Sequence, residues 1–465
     1  YQDFPDDVDA TAAREEILRE TYASGLEFVS DTHSRSDAFA TSAGPAHPRG
    51  NLWDNGADAV AELDRLMQVR KVVLGNFSER NIRMQRPMAN IEDVLVPMYL
   101  IIGVWGGPRR IYASVKFFIY TMVCSLLMLV AIIFVYYYAV QSGADINGFG
   151  IQEFYRLGIP HAAQYWLFLA FGFSFAIKVP MFPLHTWLPD AHTEAPTAGS
   201  VILAAILLKM GTYGFVRFAI PLFPNALQQC MPYLATLCVI GIIYGSLVAM
   251  VQSDVKKLVA YSSVAHLGFV MLGVFALNLQ GLAGGMIQMV NHGISTGALF
   301  LIVGFIYERR HTREISEFGG LAKQMPIFAT IFMIITFSSV GLPGTNGFVG
   351  EFLSIMGAFE SGLRWYAVVA TLGVILAAVY MLWMFQRVMF GELKNPKNAE
   401  LKDLNAREII IMIPLLVFVF WIGVYPNTFF DKMNPSLEKL VDQIKGKQEV
   451  AMVHHVDTPD NLEIK

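Results

Sequence analysis

Phe175-Ala-Ile-Lys178-Val-Pro180-Met-Phe-Pro183-Leu-His185-Thr-Trp-Leu-Pro189-Asp190-Ala-His192-Thr-Glu194-Ala-Pro196 is the stretch whose reading decides the fold. An apolar run over 165–177 leads into it, and another over 201–208 leaves it. Between them lie one lysine, four prolines and a cluster of titratable groups. In water this would be a loop. Between membrane-length apolar runs it reads as a helix broken within a bilayer. Irregular backbone survives at that depth only when buried in protein or lining a hydrated cavity. A lysine there costs about 2.5–3.5 kcal/mol on insertion scales, which marks Lys178 as a functional-site candidate.

The rest of the chain agrees. Of its 465 residues, 54% are hydrophobic and only 15% charged, and the apolar runs recur at about membrane length. This is an all-α polytopic membrane protein. A net charge of −4 gives no electrostatic footprint for nucleic acid. Cys124, Cys230 and Cys238 lie in or beside apolar runs without metal-ligand spacing, and read as small buried hydrophobes. No secretory signal or Arg-rich transit peptide is visible at the start; the chain begins at Tyr1, which is consistent with prior cleavage of a targeting segment.

Three regions follow. Residues 1–88 form a hydrophilic extension with two amphipathic helical patterns, near 10–28 and 56–74. They carry no nucleotide loop, metal motif or nucleophile constellation, so they read as a solvated extension or docking arm rather than an enzymatic domain. Residues 89–430 are the transmembrane domain, with spans near 91–104, 113–140, 162–179, 197–218, 233–251, 258–277, 282–307, 325–359, 367–389 and 409–429. Residues 431–465 are a polar tail, solvated or partner-bound, with an amphipathic piece near 437–444. The eighth span is too long for one straight crossing. Its middle, Gly341-Leu-Pro343-Gly344-Thr-Asn346-Gly347-Phe-Val-Gly350-Glu351, breaks helix geometry. Two interrupted helices five spans apart mark an inverted-repeat transporter. Counted back from the third span, the first five-helix unit is one helix short.

Moving protons through a bilayer needs titratable groups whose proton affinities can cross. Glu92, Lys178, Lys209 and Glu351 fall inside apolar segments. A Glu–Lys pair at ~4 Å is worth roughly 4 kcal/mol at an effective dielectric of ~20, enough to change proton affinity about a thousandfold. His266 and His292 titrate nearer neutrality and suit a relay. Plainer readings stand beside these: structural ion pairs for the lysines, interfacial placement for Glu92, a helix cap for Glu351, packing for the histidines. His185, Asp190, His192 and Glu194 read equally as loop residues. Arg109, Arg110, Lys256 and Lys257 read as membrane-surface markers.

The segment FAIKVPMFPLHTWLPDAHTEAPTAGSVILAAILLKMGTYG resembles the signature of the antiporter-like subunits of respiratory complex I. VLVPMYLIIGVWGGPRRIYA, YSSVAHLGFVMLGVF, MVNHGISTGALFLIVG and LPGTNGFVGEF, in order, narrow the resemblance to the chain 4 branch. It covers about 92–429. It implies a fourteen-helix fold with two inverted five-helix repeats and half-open proton channels. By position it makes Glu92 the membrane glutamate, Lys178 its paired lysine, Lys209 the central lysine and Glu351 the end of the axis, with His266 and His292 along it. The implied process is redox-driven proton pumping in the mitochondrial inner membrane, or in a bacterial plasma membrane. NADH, FMN, iron–sulfur clusters and ubiquinone would be handled by other subunits, with no cofactor on this chain. The implied partners are other membrane-arm subunits, notably antiporter-like chains 2 and 5, with membrane lipids and no nucleic acid. The family has four helices before the one with Glu92, so a second polypeptide is expected to supply them, and residues 1–88 are expected to be lineage-specific. The other readings are a subunit of an Mrp-type cation/proton antiporter and a spacer that no longer pumps; the retained Glu92, Lys178, Lys209 and Glu351 argue against the last.

Overall fold

The computed structural model describes residues 95–144, 149–393 and 395–456, and every named element among them is a helix. The chain divides into units of residues 1–83 and 84–465, and the described residues belong to the second. The expected extension over 1–88, and Glu92, lie outside the described residues.

We number the main helices α1 (Leu95–Trp105), α2 (Arg110–Gln141), α3 (His161–Lys178), α4 (Trp187–Glu194), α5 (Thr197–Leu222), α6 (Pro224–Met250), α7 (Val255–Phe275), α8 (Leu279–Arg310), α9 (Pro326–Val340), α10 (Asn346–Glu360), α11 (Arg364–Met389), α12 (Ala406–Val424) and α13 (Asn427–Val456). Seven are long and apolar enough to cross a membrane unaided, and α1 and α9 are shorter apolar helices. With α3–α4 and α9–α10 each taken as one interrupted crossing, a described helix falls at each of the ten expected stretches. The two interrupted crossings are an odd number of spans apart, so they run in opposite directions. That is the geometry of an inverted repeat.

Each break has a local cause. After Phe175 the chain meets Pro180 and Pro183, which carry no backbone N–H. The indole of Trp187 donates back to the carbonyl of Ile177 at 3.0 Å, covering an acceptor at the end of α3. In the second crossing α9 ends at Gly341 in the left-handed region (φ 81°). Leu342 N–H bonds Phe337 O at 3.0 Å, and Gly341 N–H bonds Ser338 O at 3.3 Å. This is a Schellman-type closure that glycine permits.

Helix α7 is the centre: 94% of its apolar window is buried, against 33% for α2 and 22% for α12. It packs on α4, α6, α8, α10 and α11. Its serines, having no water to face, bond its own turns: Ser262 and Ser263 both donate to Val259 O, at 2.8 and 3.2 Å.

The helix ends sort the charges. Arg109, Lys256, Lys257, Arg310, Arg313, Lys323, Arg387, Lys397 and Lys402 lie at one end of the crossings. At the other end the connecting segments, flanking turns and α13 carry fewer: Arg156, Arg217, Arg364, Lys432, Lys439 and Lys445. Tracing the alternating crossings therefore gives an asymmetry that reading the loops in sequence blurs. By the positive-inside rule the cation-rich face is the cytoplasmic or matrix face.

Two expectations change. Lys256 is not a surface marker: it is 6% exposed, and its ammonium donates to the carbonyl of Ala195 just past α4. The segment after 431 is not a free tail as far as it is described. It continues α13, whose Leu437, Leu440, Val441 and Ile444 are buried against the body, with α13 packing on α5, α6 and α8.

Cysteine labelling tests the sidedness. Cys124, Cys230 and Cys238 are buried, so Glu400→Cys and Gly362→Cys, at opposite helix ends, can be labelled separately. A membrane-impermeant maleimide should reach Glu400→Cys only from the cytoplasmic or matrix side and Gly362→Cys only from the other. Labelling of both from one side would contradict the assignment.

Candidate functional site: a buried polar line

Four of the residues singled out in the sequence meet at the heart of the bundle. Lys209 lies in α5 between two π-helical turns, Leu203–Leu207 and Phe215–Ala219, of a kind frequent at functional sites. Its ammonium donates to Ala204 O and lies 2.6 Å from Nδ1 of His292 on α8. The rings of His292 and His266 are 6.0 Å apart, centre to centre, and tilted by 63°. His266, on α7, places Nδ1 2.7 Å from Oε1 of Glu351 on α10. Glu351 also accepts from Gln288 Nε2 at 3.1 Å, and the Tyr380 hydroxyl stands 3.5 Å from His266 Nε2. His266, His292 and Glu351 are 4%, 3% and 3% exposed. A lysine–histidine–histidine–glutamate line thus crosses from the first repeat into the second.

The chemistry follows from the atoms. A protonated Lys209 donates to Nδ1 of His292, which keeps that imidazole neutral with its proton on Nε2. Nε2 has no hydrogen-bond partner among the described residues. Transfer onward to His266 therefore requires a ring rotation or one bridging water. His266 can then pass its Nδ1 proton directly to Glu351. Glu351 caps no helix: it stands in the second turn of α10 and bonds side chains of α7 and α8.

Lys178 ends α3, 9% exposed. It lines a cavity of about 20 Å3 with Thr121 and Ser125 of α2, Trp187, and Leu207 and Met210 of α5. That is room for one water. Leu207 and Met210 bracket Lys209, so Lys178 faces the same turn of α5. Glu92 lies outside the described residues. His185 and His192 are buried rather than loop residues at a surface. His185 packs among Phe182, Tyr244 and Tyr261, and His192 stacks on Phe300 at 4.5 Å. Asp190 pairs with Lys116 at 2.7 Å, and Glu194 accepts from Arg109 N–H at 2.9 Å.

Reading the sequence missed the supporting shell. Asn346, at the start of α10, accepts from Ser338 Oγ at 2.5 Å and donates to Ser295 Oγ at 3.2 Å, while its carbonyl accepts from Asn291 Nδ2 at 2.7 Å. Asn291 donates to Gln288 Oε1 at 3.1 Å. A Cβ on Gly350 would sit 2.2 Å from Gln288 Oε1, so only glycine lets α10 approach α8 this closely. A signal existed: Gln288, Asn291, His292 and Ser295 recur at helical spacing within an apolar span.

Two repeats of crossing helices, each with a broken member, wrapped around a titratable line at bilayer depth, define an antiporter-like membrane protein. A family model described as NADH:quinone oxidoreductase/Mrp antiporter, transmembrane, matches residues 89–377, and the chain belongs to that family. It is 51% identical over 358 residues to NADH-quinone oxidoreductase subunit M of Rhodobacter capsulatus, covering 75% of this chain and 69% of the relative. It is 49% identical over 355 residues to NADH-ubiquinone oxidoreductase chain 4 of Marchantia polymorpha, covering 76% and 70%. Among solved structures, respiratory complex I from Thermus thermophilus with bound NADH matches with a TM-score of 0.71 at 36% identity, covering 76% of this chain and 74% of that one. The Mrp complex of a Dietzia species shares the fold, with a TM-score of 0.66 at 20% identity over 76% and 73%. A second family model, described as Met-zincin, matches residues 1–103. That segment holds two histidines, His33 and His47, and no His-Glu-x-x-His spacing with which a helix would present zinc ligands.

Asn346→Ala should leave Ser295, Ser338 and Asn291 short of partners at a cost of about 1–3 kcal/mol. Its melting in detergent should fall by several degrees while Asn405→Ser, at a conservative helix cap, stays near wild type. Equal melting of Asn346→Ala and wild type would show that the shell around Glu351 is not structural.

Proposed function

We propose that this chain is a proton-translocating membrane-arm subunit of an NADH:quinone oxidoreductase, and that Lys209, His292, His266 and Glu351 carry the proton. The observation that carries the reading is the line itself, nearly continuous, half-buried at Lys209 and buried at His292, His266 and Glu351. Structural ion pairs alone do not account for it, because a static bundle would be cheaper to insert without these groups. Lys178, with Glu92, supplies the switch on the first-repeat side: opening or closing that pair changes the charge facing α5 and hence the proton affinity of Lys209.

The oxidation of NADH and the reduction of quinone, with flavin and iron–sulfur chemistry, are assigned to other subunits, and this chain moves protons. Its partners in this reading are other membrane-arm subunits, including antiporter-like chains 2 and 5. The membrane is an energy-conserving one, the mitochondrial inner membrane or a bacterial plasma membrane; relatives of both kinds support it. The Mrp reading shares the fold, but the relatives at about 50% identity are the oxidoreductase chains.

Lys209→Met in the assembled complex is the test. NADH-driven proton uptake into vesicles should fall at least about tenfold, and coupled quinone reduction with it, while native gels show the complex intact. Undiminished pumping would remove Lys209 from the path. Copurification of this chain with cation-antiporter subunits and no NADH dehydrogenase activity would instead establish the Mrp reading.

A further inference from the structure

At the cation-rich face the last turn of α11 carries a guanidinium that the proton line does not use. Arg387 lies 3.9 Å over the Trp383 ring, and its Nε and Nη2 are buried without a hydrogen-bond partner among the described residues. A cavity of about 440 Å3 opens against it, also bordered by Ser253, Ser316 and the exposed carboxylate of Glu392. A second cavity of about 360 Å3 adjoins the first, sharing Gln386 and Phe390. Its walls are mostly apolar, from Met333 and Phe337 of α9 and Leu382 and Phe385 of α11, with Thr336 and Gln386 the polar members. Met333, Leu382 and Phe390 are exposed along it. From Pro326 at the face to Phe337 is eleven residues, so the groove reaches roughly 16 Å toward the bilayer interior. A desolvated guanidinium edge calls for an anion that presents two oxygens side by side, as a phosphate does. An apolar groove running inward from that edge calls for a chain attached to the anion.

We propose that the two cavities form one site for a bilayer phospholipid, its phosphate on Arg387 and an acyl chain along Met333, Phe337 and Leu382. Glu392, beside the phosphate position, selects a headgroup carrying an ammonium: an ethanolamine phospholipid rather than a glycerol one. Free phosphate would satisfy Arg387 and leave the groove unused. Basic pockets between transmembrane helices on this side of the membrane suit lipid headgroups for the same electrostatic reason. The site uses no residue of the proton line.

The test is photolabelling of the purified complex with a phosphatidylethanolamine whose acyl chain carries a diazirine, followed by mapping of labelled peptides. In the wild-type complex the label should fall on the peptides holding Met333, Phe337 and Leu382. Unlabelled phosphatidylethanolamine should compete, and excess inorganic phosphate should not. Arg387→Gln should cut labelling about tenfold, the loss expected for a charge-assisted bond. Leu382→Trp, which fills the groove and spares the guanidinium, should cut it likewise. Glu392→Gln should keep the site but abolish preference for ethanolamine over glycerol headgroups. Native gels and NADH:quinone activity identify variants that are intact. Equal labelling of wild type and both Arg387→Gln and Leu382→Trp, competition by phosphate alone, or a neighbouring subunit crosslinked in the groove would overturn the proposal.

Discussion

A carboxylate enclosed within a bilayer has to be met by donors, because no water is available to do so cheaply, and in this protein Glu351 is met by His266 and Gln288. That requirement organises the second repeat. α7 and α8 must both touch α10 at one level, α10 must start near mid-membrane, and α9 must stop short to let it. Gly341 ends α9, Asn346 fastens the start of α10 to α8 and α9, and Gly350 lets α10 close on Gln288. The broken helix is thus the consequence of placing an acid at that depth, and the polar shell keeps the break from fraying.

The first break is held differently, from its far end. Thr193 O accepts from Arg313, and Ala195 O from Lys256, while Gly107 N–H bonds Glu194 O at 2.9 Å. Asp254 joins these cations: it caps α7 through Lys256 and Lys257 N–H at 2.7 and 3.1 Å and lies 3.3 Å from Arg313 Nε. Cations thus meet the carbonyls at the C-terminal end of α4, where the helix leaves partial negative charge. The half-helix α4 is thus fastened at its C-terminal end and α10 at its start, five residues before Glu351.

How much of this the sequence shows depends on how local the cause is. Lys178, Lys209, His266, His292 and Glu351 stand out because titratable groups are costly in apolar runs, and both breaks stand out because Pro and Gly act on their own neighbours. Which of those groups touch is not local: the Lys209–His292 and His266–Glu351 contacts span 83 and 85 residues. Lys256 reads as a surface residue from its place beside a polar loop, and only the fold of residues 193–195 over it makes it buried. The amphipathic pattern near 437–444 is visible, but its partner surface on α5, α6 and α8 is not. Residues such as Asn346 and Ser338 are neutral and common, so nothing short of the packed helices distinguishes them from ordinary turn residues.

The central claim is that His266 and Glu351 act as one proton-transfer unit. It is tested most directly by a double-mutant cycle on NADH-driven proton translocation in vesicles, using His266→Gln, Glu351→Gln and the pair. If the two groups exchange a proton, either single change disables the step and the double variant pumps about as poorly as the worse single one. If the effects of the two single changes multiply in the double variant, the residues act independently and the line is not the path.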